Sequence, residues 1–148
     1  MKRMPKGIAL GFFITVAGGA AMAETAEAPS GSDSGTPYTV IDGTRVDAKT
    51  YKGWEIVTAL DCGRCHGKEY RGRVGPSLLE SARERSKSGF QYYVLEGMPM
   101  RGMPGYKHYE KVRNNIDGIY GYFKGLADGA IQHGELTKID ESVASQED

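Results

Sequence analysis

The chain keeps its only two cysteines three residues apart, Cys62 and Cys65, with His66 directly after them, in a stretch that reads DCGRCHGKEYRGRVGP. So close a pair cannot staple distant segments together. The rest of the chain needs help of some kind: 21 of its 148 residues are Gly and 39% are hydrophobic. A small, glycine-rich chain has difficulty burying enough apolar surface to offset its backbone entropy. A group bound at the cysteine cluster would complete the core.

The compartment decides what thiols can do. The N-terminus reads MKRMPK, then GIALGFFITVAGGA, then Ala21-Met22-Ala23 before Glu24. That is a basic segment, an apolar segment and a small-x-small cleavage site. The apolar run is too short and too rich in Gly and Ala for a convincing membrane span. Residues 1–23 are therefore expected to be a cleavable signal peptide that exports the chain to a bacterial periplasm; an uncleaved anchor is the alternative. Cleavage leaves 125 residues, suited to one domain. No second apolar run follows, so no stable membrane insertion is expected.

Charge is unevenly placed. The mature chain has a formal net charge of −3, yet residues 62–113 hold eleven basic and five acidic residues between two acidic flanks. If Arg64, Lys68, Arg71, Arg73, Arg101 and Lys107 ring one face, they steer an acidic partner. No nucleic-acid partner is expected.

Residues 24–37, ETAEAPSGSDSGTP, read as a disordered leader. YTVI-DG-TRV follows, and Asp42-Gly43 between β-branched residues predicts a two-residue hairpin, a small appendage. Asp47 or Thr50 can cap a first helix whose apolar stripe is Tyr51, Trp54, Val57 and Leu60. Residues 67–76 read as loop. A second helix is expected near 78–85 and a third over 90–96, with Ser88 as cap and Gly97 as stop. Pro99, Gly102, Pro104 and Gly105 keep 98–109 irregular. A last helix over 116–127 places Ile116, Ile119, Tyr120, Phe123 and Leu126 on one side and stops at Gly129. The fold class is thus all-α, one domain over 38–130, followed by an acidic flexible tail, 131–148.

C-x-x-C-H in an exported chain has a mechanical meaning. Two thiols on a tight turn add to the two vinyl groups of haem, and the adjacent histidine donates a neutral nitrogen to the iron. Three other readings compete. Zinc wants four ligands, and only His108 and His133 remain to join the cluster. A thioredoxin-like pair would follow a strand rather than an amphipathic helix. A structural disulfide gains little from so small a loop.

CGRCH after an aromatic-bearing helix, then Gly75-Pro76-Ser77-Leu78, then Met-Pro, then an aromatic final helix, resembles the class I c-type cytochromes over residues 38–129. The resemblance implies the monohaem class I cytochrome c fold, with one haem c held covalently by Cys62 and Cys65. It implies that His66 is one axial ligand and that its second nitrogen donates to the Pro76 carbonyl. It implies a methionine as the other ligand, which raises the reduction potential. Met103, in Met103-Pro104-Gly105-Tyr106, fits best. Met98 is the fallback, directly after Gly97; Met100 has no following proline, and His108 is a remoter choice. The first and last helices are expected to cross, with Gly53 and Gly121 as candidates for the close approach.

A closer resemblance lies in YTVIDGTRVDAKTYKGW and DGIYGYFKGLADGAI, which look like the periplasmic cytochromes c related to methanol metabolism. It implies an electron-transfer protein rather than an enzyme. The donor would be a PQQ-dependent methanol or other alcohol dehydrogenase, and the acceptor another cytochrome or a terminal oxidase. A monomer is expected. Two alternatives stand beside it: a haem enzyme or gas sensor with an open sixth iron site, and a haem subunit of a larger oxidase complex.

Overall fold

Two helices cross where neither can carry a side chain. The computed structural model describes residues 35–140, so the expected signal peptide, most of the leader and residues 141–148 lie outside the described residues. Helix α1, Ala48–Ala59, starts at Asp47, whose carboxylate accepts from the Thr50 amide at 2.9 Å, the Thr50 hydroxyl at 2.7 Å and the Thr39 amide at 2.7 Å. Among the helices that follow, α6, Ile116–Asp128, is the longest. A Cβ placed on Gly53 of α1 would lie 2.1 Å from the Gly118 carbonyl oxygen, and one on Gly118 would lie 2.1 Å from that of Lys49. The backbones touch there.

This crossing chooses which face of α1 is buried. Thr50, Gly53, Ile56 and Val57 are buried, whereas Tyr51, Trp54 and Leu60 sit half-buried beside them. The expected stripe is therefore rotated: glycine lets the backbones approach, and that approach outranks the pull of the larger side chains. Gly118, not Gly121, is the partner of Gly53. The room at Gly121 goes to the Pro37 carbonyl and the Thr50 hydroxyl.

The remaining helices surround α6. Helix α2 is the single turn Gly63–His66, and α3 is Leu78–Glu84, capped by the Ser77 hydroxyl. Helix α4, Lys87–Glu96, begins earlier than the expected 90–96. Its cap is Ser86, which accepts from the Gly89 amide at 3.1 Å, while Ser88 only shares a hydrogen bond with Ser86. Gly97 does end it. A short helix α5, Glu110–Asn114, was not foreseen; its sequence EKVRN has one apolar residue, Val112, and so no period to read. Helix α6 is buried nearly all round, as a helix packed on every side must be. Its Ile119, Phe123 and Leu126 join Ile56, Val57, Leu79, Phe90 and Val112 in the core.

The hairpin and the tail differ from expectation together. Strands β1, Val40–Ile41, and β2, Arg45–Val46, pair antiparallel with Ile41 opposite Arg45, which leaves a three-residue turn rather than two. Asp42 and Gly43 take the positive φ expected of them, +50° and +80°. The wider turn exposes carbonyls to the end of the domain: Gly43 accepts from the Gln132 amide and Thr44 from that of Thr137. Strand β3, Thr137–Lys138, pairs parallel with β2. A lone hairpin is barely stable, and the third strand completes it. Residues 131–140 are thus packed rather than a flexible tail, with Ile131 and Leu136 buried.

Candidate functional site

The cysteines lie on one helical turn. Cys62 sits at the start of α2, and the His66 amide donates to its carbonyl at 3.0 Å. Residues three apart on such a turn share a face. Both thiols are free; Cys65 is exposed and Cys62 half-buried. Burial pushes the Cys62 thiol up to about 11.

The loop after the turn folds back onto it. The Val74 and Gly75 amides donate to the Cys65 carbonyl at 3.1 and 2.9 Å, and the Gly72 amide to that of His66 at 2.8 Å. This brings Pro76 to His66 as expected: Nδ1 of the ring lies 2.7 Å from the Pro76 carbonyl oxygen. A carbonyl only accepts, so Nδ1 carries the proton. That leaves Nε2, which no hydrogen bond among the described residues occupies. His66 is 7% exposed, and a Cβ on Gly75 would lie 2.8 Å from its Cε1. The backbone at Gly75 is a wall that fixes the plane of the imidazole.

One residue that sequence reasoning passed over, Tyr70, holds this loop. Tyr70 has φ +58°, a conformation uncommon for a bulky residue. It turns the ring onto α6, edge-on to Phe123 at 5.1 Å and to Tyr122 at 6.1 Å. Its carbonyl accepts from the Leu78 amide, which ties the loop to α3. Burial raises the hydroxyl of Tyr70 and, further still, that of Tyr122. The signal for Tyr70 was present only as an aromatic inside a polar loop.

The methionine segment is a small hairpin. Met98 and Met103 face each other in an antiparallel bridge: the Met98 amide donates to the Met103 carbonyl at 2.9 Å, and the Met103 amide returns the bond at 3.2 Å. A single 3-10 turn, Pro99–Arg101, forms the tip, where Met100 is 98% exposed. Met98 and Met103 are half-buried, and His108 is exposed. Tyr106, three residues after Met103, is half-buried against the core. Burial raises its hydroxyl, and Cys62 and Cys65 lie close enough to raise it further.

Two open clefts, of about 540 and 600 Å³, share Thr58, Lys68 and Tyr70 and lie behind the cysteine turn; His66 and the methionines line neither. The donor set, two free thiols and an imidazole with one nitrogen committed, fits haem c and is at the turn itself.

The sequence model of the family described as cytochrome C oxidase, cbb3-type, subunit III, matches residues 48–123. Cytochrome c-555 of Methylococcus capsulatus (strain ATCC 33009 / NCIMB 11132 / Bath) is 39% identical over 94 residues, which cover 63% of this chain and 75% of that protein. The chain belongs to the c-type cytochrome family. The crystal structure of the c-type cytochrome XoxG from Methylobacterium extorquens AM1 superposes with a TM-score of 0.62 at 26% identity, over 73% of this chain and 71% of that one. This cytochrome therefore has the class I cytochrome c fold, with small strands added at its N-terminal side. Members of the family carry covalently bound haem c, and this cytochrome has both cysteines that attachment requires.

Two of the six basic residues are paired. Arg71 pairs with Glu69 at 3.1 Å and Lys107 with Glu96 at 2.6 Å. Arg64, Lys68, Arg73 and Arg101 have no ion-pair partner among the described residues. Arg73 instead donates to the Arg64 carbonyl, and Arg64, Lys68 and Arg73 line one cleft.

Proposed function

We propose that this cytochrome is a periplasmic monohaem electron carrier, not an enzyme. Cys62 and Cys65 hold the haem, and His66 Nε2 and Met103 are its axial ligands. The observation that carries the reading is the 2.7 Å contact between His66 Nδ1 and the Pro76 carbonyl, which commits one nitrogen and leaves the other for the iron. When bound, haem c supplies a one-electron couple, which a thioether ligand places at higher potential. The chain's own work is to fix the imidazole plane through Gly75 and to keep small molecules from the sixth position through the methionine hairpin.

The donor in this reading is a PQQ-dependent alcohol dehydrogenase, and the acceptor is another cytochrome or a terminal oxidase. The resemblance of YTVIDGTRVDAKTYKGW and DGIYGYFKGLADGAI to cytochromes related to methanol metabolism supports it. Arg64, Lys68, Arg73 and Arg101 would steer an acidic partner surface, so the reduction rate should fall as salt rises.

The test is the absorption spectrum of protein matured in a haem-attaching periplasm, followed by reduction with a purified PQQ alcohol dehydrogenase and its alcohol. A sharp c-type reduced spectrum, a weak far-red sulfur-to-iron band when oxidised, and alcohol-dependent reduction are expected. A high-spin spectrum that binds carbon monoxide readily at neutral pH would point instead to an open sixth site, as in a haem enzyme or gas sensor. A second reading has one observation behind it: the matched family's description names an oxidase subunit. Stable co-purification with oxidase subunits would favour that role over a free carrier.

A further inference from the structure

The methionine hairpin carries two sulfurs, not one, on a single face. In an antiparallel pair that exchanges both backbone hydrogen bonds, the two residues lie with Cα atoms about 5.5 Å apart and side chains on the same face. Met98 and Met103 are such a pair. The neck below them is closed. A Cβ on Gly97 would lie 2.5 Å from the Gly105 amide, and one on Gly105 would lie 2.5 Å from the Glu96 carbonyl. The Tyr106 and Lys107 amides then donate to Val94 and Leu95 of α4. The backbone is thus anchored, while each methionine keeps three rotatable bonds and a soft sulfur. Met100, turned out at the tip, is excluded from this arrangement by its exposure.

We propose that Met98 and Met103 are exchangeable axial donors, either of which can close the iron opposite His66. The inference rests on the reading that a methionine of this hairpin is the sixth ligand. Exchange breaks one iron–sulfur bond and forms another. Both thioethers are neutral, so neither a proton nor an electron moves. The arrangement keeps the iron closed when one sulfur leaves, for instance after oxidation to the sulfoxide.

The experiment compares matured wild-type protein with Met103→Leu, Met98→Leu/Met103→Leu and Met100→Leu/Met103→Leu; leucine keeps the apolar volume. The readouts are the far-red sulfur-to-iron band of the oxidised form and carbon monoxide binding by the reduced form. Met103→Leu should retain the band and remain closed to carbon monoxide. Met98→Leu/Met103→Leu should lose the band and bind carbon monoxide, whereas Met100→Leu/Met103→Leu should behave as Met103→Leu does. Loss of the band in Met103→Leu alone overturns the proposal, as does its survival in Met98→Leu/Met103→Leu. A wild-type protein without the band refutes methionine ligation itself, a separate failure. Should the double variant not mature, methyl-labelled methionine in the reduced wild-type protein decides. Both the Met98 and Met103 methyl signals should be displaced by the haem ring current; a Met98 methyl at its ordinary position refutes exchange.

Discussion

Replacing Gly53 with alanine sets a gain against a loss whose sizes differ. The gain is local: alanine is better than glycine inside a helix by about 1 kcal/mol. The loss is at the crossing. The new Cβ would stand 2.1 Å from the Gly118 oxygen, 2.2 Å from its carbonyl carbon and 2.5 Å from the Ile119 nitrogen, all backbone atoms with no rotamer to change. Ordinary contact begins at 3.4 Å, so α1 and α6 must part by over 1 Å along their contact. Overpacking a well-filled core costs about 1–3 kcal/mol and sometimes more, and rigid backbone on both sides places this case at the upper end. The net loss is about 2 kcal/mol, or a fall in Tm of roughly 10 °C for a domain of this size. Thermal unfolding of the matured protein, followed by far-ultraviolet circular dichroism, reads it. Gly63→Ala is the control, since its Cβ would meet only the Tyr70 ring at 3.7 Å. A Gly53→Ala protein as stable as wild type would refute the reasoning.

Other consequences are as direct. Asp47→Ala removes the α1 cap and orphans the buried Thr50 hydroxyl; chemical denaturation should show a loss of about 2 kcal/mol. Leu136→Ala, at a fully packed position, should cost about 2–5 kcal/mol by the same measurement; no loss would mean that residues 131–140 do not belong to the core. Gly75→Ala pushes against the His66 ring, and the Nδ1 proton resonance of His66 should shift away from its wild-type position. Burial and the Asp128 carboxylate hold the Tyr38 hydroxyl up to about 12, against 10 for a free tyrosine. The folded state therefore keeps this proton longer than the unfolded one, and stability that is intact below pH 10 declines as pH rises towards 12. Tyr38→Phe should lessen that alkaline decline in denaturation measured against pH.

The core helices were legible because their signals are local. The cap at Asp47, the stop at Gly97 and the apolar side of α6 each lie within a few residues of what they determine. The partnership of His66 with Pro76 was legible only through resemblance, since ten residues of loop separate them. What escaped was set by distant chain. Nothing near Gly118 says that Gly53 will meet it, and nothing near Leu136 says that Gly43 and Thr44 will offer carbonyls to its neighbours. A polar, acidic composition concealed Ile131 and Leu136, two apolar residues that suffice to hold a short segment. The bridge between Met98 and Met103 was hidden for another reason: Pro99 and Gly102 announce irregularity without saying that a single antiparallel bridge will close beneath it.

The small sheet has one more implication. Strand β2 lies between β1 and β3, so two segments from opposite ends of the described residues run about 10 Å apart, twice the spacing of neighbouring strands. Such remote pairing is entropically slow and forms late. The cysteine turn, the His66 loop and the methionine hairpin all fall inside the loop that this pairing closes, and none of their backbone hydrogen bonds passes through the sheet. The sheet can therefore act as a buckle, fastened after the haem-bearing turn has taken shape. The same nearness means that a linker spanning about 10 Å could tie β1 to β3 without passing the cysteine turn.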